Sequence, residues 1–265
     1  MDITSVLPPE CVSHIVSLTS PRDACRLSAV SPAIRSVANS DAVWEKFLPS
    51  DYQLILSDSV SPFSSSLLTS LSKKELYFHL CHNPVLINNG TMSFALEKES
   101  GKKIYMIGAR GISIAWGDRP SYWIWISLPE SRFPEVAELK IVWWFDVKGR
   151  IETNILSSET TYAAYLVFKF AESRYGFERR SVALGVYVEG SDNEERRRAV
   201  LDPLASMQRL TQDRGDGWVE IEMGEFFNGS GDDGTLVCSV FDFHSLDTKH
   251  GIIIQGIEVR PKNNR

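Results

Sequence analysis

One short segment, residues 114–127, concentrates aromatic side chains around a turn. Its sequence is Ile-Ala-Trp-Gly-Asp-Arg-Pro-Ser-Tyr-Trp-Ile-Trp-Ile-Ser, and its four aromatic residues are Trp116, Tyr122, Trp123 and Trp125. Gly117, Asp118 and Pro120 break the chain and predict a loop between two short strands. Because the C–H face of a sugar ring packs well on an indole, the segment predicts a binding site for a flat ligand such as a carbohydrate.

The alternative for these side chains is the hydrophobic core, since aromatic residues favour strands and buried positions. Side chains alternate along a strand, so Trp123 and Trp125 share one face and Tyr122 lies on the other. Trp116 and Trp123 flank the loop most closely. We therefore expect these two indoles to be partly exposed and to stack on the ligand.

The sequence contains no motif of catalytic chemistry such as Gly-x-Ser-x-Gly, a phosphate-binding loop or His-Glu-x-x-His. Glu220, Glu222 and Glu225 could suggest a glycosidase pair, but the alternation of Glu220 and Glu222 with apolar residues predicts a solvated strand face. The group His79, Cys81 and His82 lacks a second cluster of metal ligands, and we interpret it as structural. We expect a protein that is not an enzyme and that needs no metal or cofactor.

Composition excludes further classes of function. The chain has 265 residues and a net charge of −6, whereas a nucleic-acid surface is marked by a basic patch. No basic segment followed by an apolar run opens it, and no apolar run is long enough for a membrane span. Its four cysteines lack metal or redox spacing and indicate buried thiols in a reducing compartment. We expect the protein in the cytoplasm and nucleus.

Residues 1–50 differ from the rest of the chain because they predict short helices. Pro9, Ser20-Pro21 and Ser31-Pro32 are helix start signals, Asp41 is expected to cap a last helix, and apolar residues follow each at helical spacing. A unit of this size buries its apolar residues poorly by itself. The sequence therefore indicates a protein partner for this part of the chain.

The same residues resemble an F-box in order and spacing: Leu7-Pro8, Ile15, Leu18, Pro21-Arg22-Asp23, Leu27, Val30-Ser31, Arg35 and Asp41-Ala42-Val43-Trp44. The resemblance implies binding to a Skp-type adaptor and, through it, to a cullin-based ubiquitin ligase. The adaptor-binding residues that it implies are Leu7, Pro8, Ile15, Leu27, Val30 and Trp44. Trp44 is equally suited to holding the helices together.

The chain then changes to a different pattern. Residues 51–72 predict a Ser-rich linker, and Ser72 with Glu75 forms a capping box for a helix that ends before Asn83-Pro84. From residue 85 onward the apolar period is two, and turn signals separate many short strands. This predicts an antiparallel, jelly-roll-like β-sandwich over residues 73–265. The fold class is α+β, with helices in residues 1–50 and strands after the linker.

Two local expectations complete the strand pattern. Residues 139–147 alternate as one strand, which Lys148-Gly149 is expected to turn. Arg196-Arg197-Arg198 follow Glu194-Glu195 and predict a solvated loop.

Several stretches resemble the phloem protein 2 family of plants, and in particular its F-box members: Leu80–Val85, Ile114–Ser127, Tyr162–Lys169, Asp216–Ile221, Gly224–Asn228 and Gly251–Gly256. Lectins of this family, which include Nictaba, bind N-acetylglucosamine oligomers or N-glycan cores. The resemblance implies that Trp116 and Trp123 contact the sugar. Of two acidic positions implicated in those lectins, one corresponds to Asp242 and the other to Thr235, which is not acidic.

Three functions stay open at this point. The first is a substrate-recognition subunit of a Skp–cullin–F-box ubiquitin ligase whose sandwich binds glycans or glycoproteins. The second is an F-box adaptor whose sandwich binds a protein surface without sugar. The third is a stand-alone cytoplasmic lectin whose N-terminal helices only oligomerise. Binding to the adaptor separates the third from the others, and a glycan array separates the first from the second.

Overall fold

The computed structural model describes residues 7–60, 70–191, 196–229, 234–242 and 247–262. The chain divides into two compact units, one of residues 1–89 with 93–104 and the other of residues 90–92 with 105–265. Helices come first and antiparallel strands follow from residue 85, so the predicted α+β class is confirmed. Among the described helices, none has the length and apolar character that crossing a membrane requires.

The described α-helices all belong to the first unit: α1 (Pro9–Ser17), α2 (Pro21–Leu27), α3 (Pro32–Ala38), α4 (Asp41–Phe47), α5 (Tyr52–Ser57) and α6 (Lys73–His82). The hydroxyls of Ser20 and Ser31 accept hydrogen bonds from backbone N–H groups of the first turns of α2 and α3, at 3.1 and 3.2 Å. Such caps satisfy donors that a helix start leaves unpaired. The cap of α4 is Ser40, and Asp41 is its first helical residue.

Trp44 is the centre of the first unit's core. Its side chain is fully buried, and its indole N–H donates to the carbonyl of Ala38 at 2.8 Å. Its ring packs on Tyr77 and Phe78 of α6, with centroids 5.2 and 5.3 Å apart. Of the two roles that the sequence left open for Trp44, the structure therefore supports the one inside the helical unit.

These contacts explain why the compact units differ from the domain boundaries expected from sequence. Helix α6 groups with the preceding helices rather than with the sandwich, because its aromatic face covers Trp44. Helix α5 occupies the start of the segment that was expected to be a linker. The most Ser-rich part of that segment, residues 61–69, lies outside the described residues.

Fourteen strands are described: β1 (Val85–Ile87), β2 (Met92–Leu96), β3 (Lys103–Gly108), β4 (Ser113–Ile114), β5 (Trp123–Ile126), β6 (Val136–Leu139), β7 (Phe145–Glu152), β8 (Thr160–Tyr175), β9 (Val182–Val188), β10 (Arg196–Ala199), β11 (Gln212–Asp213), β12 (Val219–Asn228), β13 (Thr235–Asp242) and β14 (His250–Pro261). In the second unit one sheet runs β3-β14-β8-β12-β11, with β6 on β14 and β5 on β6. The other sheet runs β10-β9-β13-β7-β4. The two sheets face each other at Gly149 of β7, where an added Cβ would lie 3.1 Å from Ile257 of β14.

Strand β14 is the central element of the larger sheet. It pairs antiparallel with β3, β8 and β6, and its residues 251–259 are all buried. Gly256 permits the close approach of β3, because an added Cβ would lie 2.1 Å from the carbonyl oxygen of Ile107. The pairing of β14 with β3 therefore requires a residue without a side chain at this position.

The single strand expected over residues 139–147 is interrupted. Strand β6 ends at Leu139 and β7 begins at Phe145, and Lys148-Gly149 continues β7 instead of turning the chain. Between the two strands, Val142 exchanges backbone hydrogen bonds of 3.0 and 2.7 Å with Lys249. Because of this isolated bridge, the residues between β6 and β7 do not continue a regular strand pairing. The alternation of apolar and polar residues along the sequence does not indicate such an interruption.

Two glutamates are buried in an ion cluster on the larger sheet. Glu220 of β12 and Glu258 of β14 each contact the guanidinium groups of Arg214 and Arg260, at 2.5 to 3.3 Å, and Arg132 reaches Glu258 at 3.4 Å. The solvated face predicted for Glu220 is wrong, because arginine side chains cover it. Burial alone would raise the pKa of Glu258, but the charges of Arg214 and Arg132 hold that pKa below its ordinary value of 4.5.

Replacing Glu258 by Gln should destabilise the sandwich and weaken its acid sensitivity. The change removes one of the carboxylates that balance the charge of the buried Arg214 guanidinium. We expect it to lower the unfolding free energy by roughly 3–5 kcal/mol. Since the folded-state pKa is depressed, the carboxylate stabilises the fold fully above the ordinary pKa of 4.5, and this contribution is lost as the pH falls through the folded value. Urea unfolding between neutral pH and about pH 3 measures both effects.

The matched control is Glu225→Gln, which removes an exposed partner of Lys262 and should change little. An unaltered slope of stability against pH in Glu258→Gln would show that the cluster does not govern acid unfolding.

Candidate functional site

Trp116 lies in the loop between β4 and β5, and its side chain is 43% exposed. Its φ of 57° is in the left-handed region, which costs a residue with a side chain on the order of 1–3 kcal/mol. Such a conformation persists where the surroundings determine it, and it is concentrated at binding sites. The strained backbone therefore marks this loop as a candidate site.

Two tryptophans of β5 hold the loop in place. The indole N–H of Trp123 donates to the carbonyl of Ala115 at 3.1 Å, and that of Trp125 donates to the carbonyl of Gly117 at 3.0 Å. These carbonyls belong to the residues on either side of Trp116. The guanidinium of Arg110 stacks over Trp125, 3.7 Å from the ring centroid. The backbone of Trp116 is thus fixed from both directions.

The expected exposure of Trp123 is wrong. Its side chain is only 2% exposed, and its ring packs on Phe145 with a centroid distance of 6.2 Å. The physical reason is that its polar N–H finds a partner in the loop carbonyl of Ala115, so the whole indole can be buried. Trp123 supports Trp116 from within and is not on the surface to stack on a ligand.

Three aromatic side chains form what we call the aromatic platform: Trp116, Tyr122 and Trp144. The ring of Trp116 lies 5.7 Å from that of Tyr122 and 6.3 Å from that of Trp144, which stands at 86° to it. Trp144 is 49% exposed. Trp144 was not predicted from the sequence, because its contact with Trp116 forms only in the folded chain.

A buried lysine supports the segment that bears Trp144. The ammonium of Lys249 forms an ion pair with Asp242 at 3.0 Å and donates to the carbonyl of Trp143 at 3.3 Å. Its side chain is almost wholly buried, and its backbone pairs with Val142. The platform is therefore tied to the start of β14.

Asp242 is buried and faces Lys249, so the expectation that it hydrogen-bonds a surface ligand is wrong. A carboxylate in this position balances the charge of a buried ammonium. Thr235, the other position implied by the family resemblance, lies at the opposite end of β13, about 24 Å away along the strand. Its hydroxyl bonds to Glu152. The structure does not bring these two positions together.

The six predicted adaptor-binding residues differ in exposure. Ile15 and Val30 expose 46% and 66% of their surface, and large exposed apolar side chains on a small unit are typical of a partner surface. The others are exposed Pro8, half-buried Leu7 and Leu27, and buried Trp44.

Metal ligands are not assembled in the part of the chain that the structure describes, and of the four cysteines expected to be buried only Cys238 is, whereas Cys11 is exposed. That part of the chain holds no group of three or more His, Cys, Asp or Glu side chains placed to bind a metal ion. Burial raises the pKa of the thiols of Cys81 and Cys238 to about 12, so both are protonated at neutral pH.

The chain thus combines a helical unit that has exposed apolar side chains with a β-sandwich that carries the aromatic platform. Two family models match these two parts: F-box-like over residues 4–50 and phloem protein 2 over residues 102–261. The chain belongs to the phloem protein 2 family, and it is an F-box protein of that family.

Relatives in Arabidopsis thaliana agree over nearly the whole length. F-box protein PP2-B10 is 44% identical, covering 96% of this chain and 92% of its own, and F-box protein PP2-B15 is 39% identical, covering 97% and 96%. Among solved structures, a family 35 carbohydrate-binding module from Clostridium thermocellum is 9% identical, covering 59% of this chain and 96% of its own, with a TM-score of 0.31. That likeness is too low to carry an argument.

Replacing Trp123 by Ala should cost roughly 3–5 kcal/mol of unfolding free energy, because it empties a large space in the core. Replacing Trp123 by Phe keeps the ring but leaves the carbonyl of Ala115 without its donor, at about 1–3 kcal/mol. Replacing Trp116 by Ala should change the unfolding free energy by no more than about 0.5 kcal/mol. Urea unfolding of the three variants measures their unfolding free energies and so ranks the three losses. Equal losses of unfolding free energy for Trp116→Ala and Trp123→Ala would contradict the assignment of Trp116 to the surface and of Trp123 to the core.

Proposed function

We propose that this F-box protein is the substrate-recognition subunit of a Skp–cullin–F-box ubiquitin ligase in the cytoplasm and nucleus. Its sandwich binds glycans or glycoproteins that contain N-acetylglucosamine. The observation that carries the glycan part is the aromatic platform, whose central indole is exposed and held in a strained conformation by two indole hydrogen bonds to its neighbouring carbonyls. The F-box match and the exposed side chains of Ile15 and Val30 support the adaptor part.

The platform suits a pyranose ring in both shape and chemistry. A ring stacked on Trp116 has the nearly perpendicular Trp144 beside it, an apolar wall suited to the methyl of an acetamido group. Asp118 and Arg119 are exposed in the same loop and offer polar groups to the hydroxyls. Each aromatic contact contributes on the order of ~1 kcal/mol beyond area burial. A shallow site of this kind should therefore bind at micromolar affinity or weaker.

Such a protein acts by position and not by covalent chemistry of its own. The F-box anchors it to the ligase through the adaptor, and the sandwich brings the glycoprotein within reach of the ubiquitin-transferring subunits. Specificity then depends on the platform.

A second candidate is an F-box adaptor whose sandwich binds a protein surface without sugar. The observation that favours it is the loss of both acidic positions as surface groups, since Thr235 carries no charge and Asp242 is buried against Lys249.

Replacing Trp116 or Trp144 by Ala should remove glycan binding while the protein stays folded, because each change takes away one exposed face of the platform. The measurement is a glycan array on the full chain, followed by titration with N-acetylglucosamine oligomers. Phe227→Ala is the matched control, since it removes another exposed aromatic ring of the same unit. A wild-type protein that binds no glycan would eliminate the lectin role and leave the protein-binding alternative.

Replacing Ile15 and Val30 together by Asp should abolish co-purification with a Skp-type adaptor, because charged side chains would have to be desolvated at the interface. Leu54→Asp serves as the control, since Leu54 is an exposed apolar residue of α5 outside the F-box match. Undiminished adaptor binding in the double variant, with Leu54→Asp also binding, would refute the assignment of this surface.

A further inference from the structure

The outer face of β7 carries a carboxylate and an ammonium group beside the aromatic platform. Phe145, Val147 and Gly149 of this strand are buried and face the core. Because side chains alternate along a strand, Asp146 and Lys148 face outward. Their side chains are 20% and 34% exposed. A ligand on the surface of the smaller sheet can therefore reach both charged groups.

Asp146 adjoins the platform along two segments of the chain. It follows Trp144 by two residues. Its backbone carbonyl also accepts a hydrogen bond of 3.0 Å from the N–H of Ala115, the residue before Trp116. Because paired strands lie about 4.8 Å apart, Asp146 is one strand spacing from the chain that enters the Trp116 loop. A sugar ring stacked on Trp116 can therefore place one edge over Asp146.

The carboxylate of Asp146 has unused capacity to accept hydrogen bonds. Its Oδ2 accepts from the ammonium of Lys148 at 3.2 Å, whereas its buried Oδ1 accepts none from the described residues. A buried acceptor without a partner costs free energy in a native structure. The terminal torsion of Asp is broad and roughly two-fold, so rotation of the carboxylate can bring either oxygen to the exposed side. The group is thus suited to accept hydrogen bonds from a ligand.

The ion pair with Lys148 determines which charge a ligand can carry. Asp146 and Lys148 neutralise each other, so neither an anionic nor a cationic sugar gains from a net attraction. An ammonium group has three N–H donors, and one of them bonds to Asp146. A neutral ligand that has both donors and acceptors, such as a sugar with hydroxyl and amide groups, fits the pair.

The neighbouring strands limit the surface around Asp146. On β13 its register partner is Phe241, and the guanidinium of Arg196 lies 4.7 Å from the centroid of that ring. Arg196, Arg197 and Arg198 form the edge strand β10, so the solvated loop predicted for them is wrong. The carboxylate of Asp146 therefore lies between an aromatic ring of β13 and the chain that leads into the platform.

Asp146 can replace the acidic groups that the family resemblance implied. Asp242 is buried against Lys249, and Thr235 carries no charge. Asp118 is exposed in the loop, but a strand fixes the direction of a side chain better than a loop does. Specific recognition depends on polar groups that are held in place before the ligand binds. Asp146 meets this condition because it belongs to β7.

We infer that Asp146 is the specificity-determining residue of the platform and that it requires an N-acetylglucosamine unit with a free 3-hydroxyl group. With the acetamido methyl against Trp144, the carboxylate accepts hydrogen bonds from the acetamido N–H and from the adjacent 3-hydroxyl. Lys148 donates to the oxygen of the same hydroxyl. Chains linked through position 4 keep this hydroxyl free, whereas chains linked through position 3 do not. The inference rests on the proposed glycan function and names the residue that would set its sugar specificity.

The first part of the test compares three ligands on the full-length wild-type chain by calorimetric titration. The ligands are the methyl glycoside of N-acetylglucosamine, its 3-deoxy analogue and its 6-deoxy analogue. The 3-deoxy sugar should bind about tenfold more weakly than the parent sugar, because a charge-assisted hydrogen bond is lost. The 6-deoxy sugar, which keeps the 3-hydroxyl, should bind as the parent does.

The second part repeats the titrations with Asp146→Asn, which keeps the shape of the side chain. This variant should bind the parent sugar about tenfold more weakly, and the parent and 3-deoxy sugars should then differ by less than about twofold. Such a cycle measures the coupling of one carboxylate to one hydroxyl, which a merely structural role of Asp146 would not produce. The matched control is Glu189→Gln, which removes the exposed partner of Arg150 on the same strand and should bind as the wild type does.

Two outcomes overturn the inference alone: equal binding of the parent and 3-deoxy sugars to the wild type, or an undiminished difference between them in Asp146→Asn. A wild-type chain that binds none of the sugars overturns the inference together with the proposed glycan function. Thermal unfolding verifies that each variant is folded. If Asp146→Asn does not fold, Asp146→Glu provides the same comparison, because it keeps the charge and moves the carboxylate by one methylene group.

Discussion

Burial of strand β14 on both of its faces is the constraint on which the rest of the sandwich depends. The strand can be covered only because three other strands pair along it and because Gly256 lets β3 approach. The same burial encloses Glu258, whose charge is balanced by Arg132 and Arg214 from other parts of the chain and by Arg260 of the same strand. It also encloses Lys249 immediately before the strand, whose partners are Asp242 and the carbonyl of Trp143. One hydrophobic requirement thus accounts for both of these buried ionic arrangements.

The core and the candidate site are consequently not independent. Trp123 lies in the core and holds the loop of Trp116, and Lys249 is buried and holds the segment of Trp144. Each exposed ring of the platform therefore has a buried partner that fixes its backbone. Loops that carry function are usually more mobile than the elements they connect. Here, hydrogen bonds from two indole N–H groups and one ammonium group fix the backbone of the platform. The strain at Trp116 is maintained by the stability of the surrounding sandwich.

The sequence predicted those features that depend on near neighbours along the chain. The helix starts at Ser20, Ser31 and Ser72 depend on a hydroxyl and a backbone N–H three residues apart, and all three are confirmed. The strand pattern after residue 85 likewise follows from local alternation. The burial of Trp123 and Asp242 could not be predicted in this way, because their partners, Phe145 and Lys249, are close only in the folded chain. The interruption before β7 has the same origin in the Val142–Lys249 bridge.

The seven tryptophans differ in exposure, so their fluorescence should distinguish the core from the aromatic platform. Trp44, Trp123 and Trp218 are enclosed in apolar surroundings, where an excited indole emits at shorter wavelengths and is shielded from dissolved quenchers. Trp116, Trp143 and Trp144 are in contact with water, so their emission is shifted to the red and is accessible to iodide. Quenching by iodide thus separates the emission of the platform and its neighbour from that of the core within one unlabelled chain.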